Sequence, residues 1–92
     1  MSKVTVYISS VTSDLERKKH QQKIEMVLSS KKIEHEYVDV TSDHDLLNKM
    51  RELAGNPQAL PPQIVNGDVY CGDFDAFEEA LENENLEGFL KI

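Results

Sequence analysis

The chain has 92 residues, with 10 basic and 17 acidic side chains, one cysteine and no tryptophan. Folding at this length buries roughly 60% of the extended chain's surface, enough for one core and not for two, so a single domain over 1–92 is expected. The formal charge of −7 argues against a binder of nucleic acid or of anionic membrane, since both need an accumulation of Lys and Arg.

The charge is also unevenly spread. The first 32 residues are basic on balance and the remainder is strongly acidic. The basic side chains fall on one helical stretch, which reads as a solvated face. A single cysteine cannot form an internal disulfide, and the start shows no charged segment followed by an apolar one, so secretion is not indicated. No apolar run approaches the roughly 20 residues of a membrane span. A monomeric protein of the reducing cytosol is expected, with the nucleus as a second compartment.

Val4, Val6 and Ile8 alternate with Thr5 and Tyr7, a period of two that predicts a strand. Ser13 followed by Glu16 predicts a capping box and a helix running to about Ser30. Ile24, Val27 and Leu28 form its inward stripe, whereas Glu16 to Lys23 contain no aliphatic residue, so its first two turns are expected to be exposed. Ile33 to Val40 resumes strand character, with Tyr37, Val38 and Val40 as its buried members. Two strands joined by a helix of this length are normally parallel, with a right-handed crossover.

Ser42 and Asp45 suggest a second capping pair. Leu46, Leu47, Met50, Leu53 and Ala54 follow at helical spacing, and Gly55 with Asn56-Pro57 ends the helix. Asn66-Gly67 between Gln63-Ile64-Val65 and Val69-Tyr70-Cys71 predicts a hairpin with a type I′ turn. Asp73 is the natural N-cap of a helix that carries Phe74, Phe77, Ala80 and Leu81 inward. A short turn around Leu86, Phe89 and Leu90 is expected to cover a sheet edge or the open end of the core. The order is β-α-β-α-β-β-α: an α/β fold with a four-stranded mixed sheet and helices on both faces.

That order, the Pro61 to Gly67 segment and the Gly72-Asp73 helix start resemble the thioredoxin fold in its glutaredoxin form. Leu53-Ala54-Gly55-Asn56-Pro57, Pro61-Pro62-Gln63-Ile64-Val65-Asn66-Gly67-Asp68 and Tyr70-Cys71-Gly72-Asp73 are similar to the SH3 domain-binding glutamic acid-rich-like proteins. The similarity spans nearly the whole chain, including Val11-Thr12 and Phe89-Leu90-Lys91. It implies a small cytosolic protein of glutaredoxin-like fold without the redox motif, of a kind proposed as modulators of glutaredoxins and as adaptors. It also implies that Pro62 is the cis-proline that the fold places beside its active site.

A thiol–disulfide oxidoreductase of this fold holds its cysteine at the N-terminus of the first helix, where the dipole and free N–H groups lower the thiol pKa. Here that loop reads Ser9-Ser10-Val11-Thr12-Ser13-Asp14. It contains no sulfur, and a hydroxyl without a neighbouring base cannot replace a thiolate. The glutathione groove is altered as well. The residue before the cis-proline, which lends glutathione its N–H in glutaredoxins, is Pro61 and has no N–H to give. The family pattern Gly-Gly-X-Asp-Asp becomes Cys71-Gly72-Asp73-Phe74-Asp75; Asp75 can still meet an amino group, and the helix N-terminus can still attract a carboxylate.

Cys71 is read as a partly buried small hydrophobe, with oxidation or glutathionylation as its functional alternative. His20, His35 and His44 share no metal-ligand spacing and are read as surface residues, and the acidic run from Asp73 to Glu87 has no calcium-loop arrangement. No cofactor, metal or catalytic residue is expected. The expected function is non-catalytic binding of other proteins, glutaredoxins or cytoskeletal and signalling proteins among them. Its surface is the remnant groove of Ser9, Ser10, Val11, Thr12, Ser13, Leu60, Pro61, Pro62, Gln63, Gly72, Asp73 and Phe74, with Asp75 beside it. Two alternatives stay open: glutathione-dependent activity through Cys71, and recognition of Leu60-Pro61-Pro62 by an SH3-type domain.

Overall fold

A computed structural model describes residues 3–92; residues 1 and 2 of the expected domain lie outside the described part. The elements are β1 (Val4–Ile8), α1 (Leu15–Ser30), β2 (His35–Asp39), α2 (His44–Ala54), β3 (Gln63–Asn66), β4 (Val69–Asp73), α3 (Phe74–Glu82) and α4 (Leu86–Leu90). They build one four-stranded sheet in the order β2-β1-β3-β4. β1 is parallel to β2 and antiparallel to β3, and β3 is antiparallel to β4. The mixed sheet read from the sequence is therefore present.

The alternation along β1 decides which helix packs where. Val4 and Val6 turn to one face, where they meet Ile24 and Leu28 of α1, Ile64 of β3, Phe77 of α3, and Leu86 and Leu90 of α4. Tyr7 turns to the other, where it joins Val65, Val40, Ala59 and Met50 of α2. Burying side chains of this size stabilises by about 1.5–3 kcal/mol each, an upper figure before chain entropy is counted. As expected, the beginning of α1 contributes nothing to either cluster: its first buried residue is Ile24, and Leu15 is 70% exposed.

Four local expectations need correction. Both capping pairs are displaced by one residue: the N-caps are Asp14 and Asp43, not Ser13 and Ser42. Each Asp carboxylate accepts two backbone N–H groups, from Glu16 and Arg17 and from Asp45 and Leu46 respectively. A carboxylate satisfies two orphan donors at once and complements the helix dipole, so it outcompetes the preceding hydroxyl.

The hairpin turn is Gly67-Asp68 rather than Asn66-Gly67. Asn66 pairs with Val69 as the last residue of β3, and positive φ occurs at Gly67 alone, which excludes type I′. Asn66 is drawn into the strand by long-range bonds: its side chain accepts from Lys3 N and donates to the Leu90 carbonyl.

Tyr37 is exposed instead of buried, and Val38 is only half-buried. β2 is an outer strand paired on one flank, and the Tyr37 ring sits edge-on to His35 at 5.2 Å.

Finally, β4 runs on through Cys71 to Asp73 and is bulged. Val65 pairs with Tyr70 and Ile64 with Gly72, which leaves Cys71 as the extra residue. Asp73 caps α3 as expected, its carboxylate accepting from Ala76 N.

Candidate functional site

An open groove of about 320 Å³ lies where the segment after α2 meets the start of α3. Its floor and one wall come from residues 56–63. Gly55, in the left-handed conformation at φ 66°, ends α2 and turns the chain toward the sheet. The segment beyond is then held at several points. Asn56 Oδ1 accepts from Gln58 N at 2.9 Å, Arg51 Nε donates to the Ala59 carbonyl at 3.1 Å, and Gln63 Nε2 donates to the Leu60 carbonyl at 2.9 Å. The Tyr70 hydroxyl fixes the buried Gln63 from the other side, donating to its Oε1 at 2.6 Å. The Pro61-Pro62 bond is cis, as the resemblance implied. Pro61 and Pro62 are buried, while Leu60 stays 53% exposed at the rim.

The opposite wall is Asp73, Phe74 and Asp75 together with His20 of α1. His20 stacks flat on Phe74, and Phe74 in turn leans on the buried Phe77. His44 is exposed, but His35 and this imidazole are half-buried, so their reading as surface residues is corrected. The pattern that could have placed it is the α1 stripe itself: His20, Ile24 and Leu28 recur every four residues on one helix face. Asn56, Gln58 and Ala59 also line the groove and were missed, because nothing in a turn sequence announces which flank it presents.

The expected surface is only partly brought together. Leu60, Pro62, Gln63, Asp73, Phe74 and Asp75 share the groove. Pro61 and Gly72 are buried beside it and do not line it. Ser9 to Ser13 do not line it either; Ser9, Ser10 and Val11 are bonded instead to Gln21 of α1 and to Asp39 and Thr41 at the end of β2. Gln21 clamps Ser9 by accepting from its N–H and donating to its carbonyl. Ser10 Oγ donates to Asp39, and Ser10 N donates to Thr41 Oγ1 at 3.1 Å. The Ser10 hydroxyl first, then the Thr41 hydroxyl and the Thr41 and Ser10 amides, donate to the Asp39 carboxyl and hold it well below the usual carboxylate range.

At the mouth of α1, where the resemblance places a catalytic thiol, the Asp14 carboxylate occupies the free N–H groups of Glu16 and Arg17 at 3.0 and 3.2 Å. An incoming anion would have to displace it. Cys71 stands elsewhere, half-buried against the α1/α3 core, with Sγ 3.9 Å from the Val69 carbonyl. Burial pushes its thiol pKa up, and nearby Lys91 offsets this only in part. The groove wall carries two carboxylates, and neither Lys nor Arg lines it.

Among the described residues no group of three or more His, Cys, Asp or Glu could hold a metal, and no helix is long and apolar enough to cross a membrane. A larger cleft of about 840 Å³ opens beyond the C-terminal ends of α1 and α3, between Ile33, Leu81 and Ile92. It shares no residue with the groove.

A family model described as SH3-binding, glutamic acid-rich protein matches residues 2–92. An SH3 domain-binding glutamic acid-rich protein homolog of Drosophila melanogaster is 42% identical over 95% of this chain, and the chain spans 63% of that relative's length. Among solved structures, the C. albicans actin interacting protein Aip5 superposes with a TM-score of 0.79 at 22% identity, covering 97% of this chain and 88% of the other. A buckwheat glutaredoxin–glutathione complex superposes with a TM-score of 0.70 at 12% identity, covering 98% and 77%. At such identities the likeness establishes the thioredoxin-like, glutaredoxin-type fold and nothing more.

Proposed function

The chain belongs to the SH3-binding, glutamic acid-rich protein family, and from that premise we propose that it is a non-catalytic protein-interaction module. The observation that carries this reading is the carboxylate of Asp14 on the N–H groups at the mouth of α1. Thiol chemistry in this fold needs those groups to stabilise a thiolate. Here they are already bonded to an anion of the chain itself. The groove between residues 56–63 and the start of α3 supplies a binding surface, with exposed Leu60 and the His20–Phe74 wall, and its lining offers carboxylates with no Lys or Arg. Such lining disfavours the two carboxylates of glutathione and favours a protein segment that brings apolar and basic side chains.

The raised thiol pKa and half-buried position of Cys71 oppose redox turnover through it. The burial of Pro61 and Pro62 opposes their use as an SH3 ligand while the chain is folded, because such a ligand must be laid bare along its length. In this reading the module works in the cytosol, and also in the nucleus, as an adaptor or as a modulator that engages glutaredoxins. Actin is a further partner to test, since the similar C. albicans protein is named as actin interacting.

The test is a titration of isotope-labelled protein followed by amide chemical shifts, with glutathione, a dithiol glutaredoxin and monomeric actin in separate arms. Shifts centred on Leu60, Gln63, Phe74 and Asp75 with either protein, and none with millimolar glutathione, support the proposal. Glutathione-driven reduction of a mixed disulfide that disappears on Cys71→Ser would overturn it.

A further inference from the structure

We propose that Ser13 is a phosphorylation site for a serine kinase whose substrate cleft is basic. Of all serines and threonines in the chain, only Ser13 and Ser42 are followed by carboxylates at both the first and the third position, as Ser-Asp-Leu-Glu and Ser-Asp-His-Asp. A kinase cleft lined with lysine and arginine reads this pattern by charge-assisted pairing. Both serines hold the same place in the fold, in a loop immediately before an Asp N-cap. Both are exposed, and among the described residues neither hydroxyl has a protein hydrogen-bond partner. The N-cap role that would have occupied them belongs to Asp14 and Asp43.

The two sites differ in how firmly the next helix is packed. A kinase cleft takes its substrate extended, so the first turn of the helix must open for the third-position carboxylate to be read. The first turn of α1 is anchored by nothing apolar: Leu15 is 70% exposed, and the first buried side chain is Ile24. Thr12 Oγ1 accepts from Asp14 N and Arg17 Nη1, and Asp14 caps the first turn, but these bonds are all exposed or part-buried polar ones that water can replace, and no apolar contact locks the turn. On the far side of Ser42, Leu46 and Leu47 already pack against the α2 core at the beginning of that helix. Local opening is therefore easy at Ser13 and costly at Ser42.

In the transfer, Ser13 Oγ forms a bond to the γ-phosphorus of ATP while the bond to the ADP oxygen breaks, and the hydroxyl proton passes to the base of the kinase. The product places a dianion beside Asp14 and within the reach of Arg17, whose Nη2 lies 4.0 Å from the Asp14 carboxylate. This inference stands independently of the groove and of any partner bound there.

The test incubates the whole folded protein with magnesium-ATP and an acidophilic serine kinase, and maps the phosphate by mass spectrometry over time. Ser13 is expected to be modified on the order of tenfold faster than Ser42, by the difference in local opening. Glu16→Gln is expected to slow Ser13 by about tenfold, the loss of one charge-assisted contact, with the circular dichroism spectrum unchanged. Phosphate on Ser42 before Ser13, none on either, or a rate indifferent to Glu16→Gln would each overturn the proposal.

Discussion

The His20 imidazole lies face to face with the Phe74 ring, the centroids 3.8 Å apart and the planes 4° from parallel. This contact ties the otherwise lightly packed second turn of α1 to the first residue of α3 and closes one side of the groove.

His20→Ala removes the stack and is expected to cost about 0.5–1.5 kcal/mol, the worth of an aromatic pair beyond its area. Urea unfolding reads the loss. His20→Phe, which keeps a flat ring, is expected to recover most of it, and an unchanged midpoint for His20→Ala would show that the contact does not hold α1 in place.

At the mouth of α1, Asp14→Ala is expected to destabilise by about 1 kcal/mol, because two N–H groups lose their acceptor. Ser13→Ala is expected to stay within about 0.5 kcal/mol of the parent, as an exposed position without a bond does. Equal losses for the two variants would restore the capping box that the sequence suggested.

Gly72 sits at φ 155°, where an added Cβ would stand 2.8 Å from both the Ala76 Cβ and the Phe89 ring. Gly72→Ala is therefore expected to cost about 1–3 kcal/mol through crowding and backbone strain together. Gly67→Ala is the control: φ is also positive, but nothing lies within 4 Å, so it carries the backbone part alone. Thermal unfolding of the two variants separates the contributions, and a Gly72→Ala loss no larger than that of Gly67→Ala contradicts the packing argument.

Asp39 links β2 to the Ser10 loop, and its folded pKa lies below its unfolded one. The stabilisation from this group is thus complete above the unfolded value of about 4 and is lost as pH falls toward the folded value. The carboxylate is exposed, so water screens the effect and keeps it small. Asp39→Asn is expected to lower stability near neutrality and to flatten the fall between about pH 5 and pH 2, the window that spans the unfolded value. Parallel acid profiles of parent and variant would contradict the role given to Asp39.

Much of the fold was legible because the signals are local. A period of two along Val4 to Ile8, the stripe Leu46, Met50 and Leu53, and Gly55 at a helix end each act within a few residues. The caps were misplaced by one position because Ser-Asp offers two adjacent oxygen acceptors, and only the geometry of the first turn chooses between them. The turn was misplaced because Asn66 answers to Lys3 and Leu90, both far away in sequence. Tyr37 reads as a core residue from its sequence because composition does not reveal that its strand lies at a sheet edge.

By itself the sequence determined the order of the first seven elements, though not that the turn at Leu86–Leu90 is a helix, most of the faces that must be buried, the absence of sulfur in the loop before α1 and the missing N–H at Pro61. Those are properties of residue types and of spacings shorter than two helical turns. Only the tertiary structure decided that His20 meets Phe74 across 54 residues of chain, that Ser9 is clamped by Gln21 while Ser10 turns toward Asp39, and that Cys71 rests against the core. Such pairings depend on strand order and on which helix covers which face of the sheet, and that choice is made by the packing of the whole chain at once.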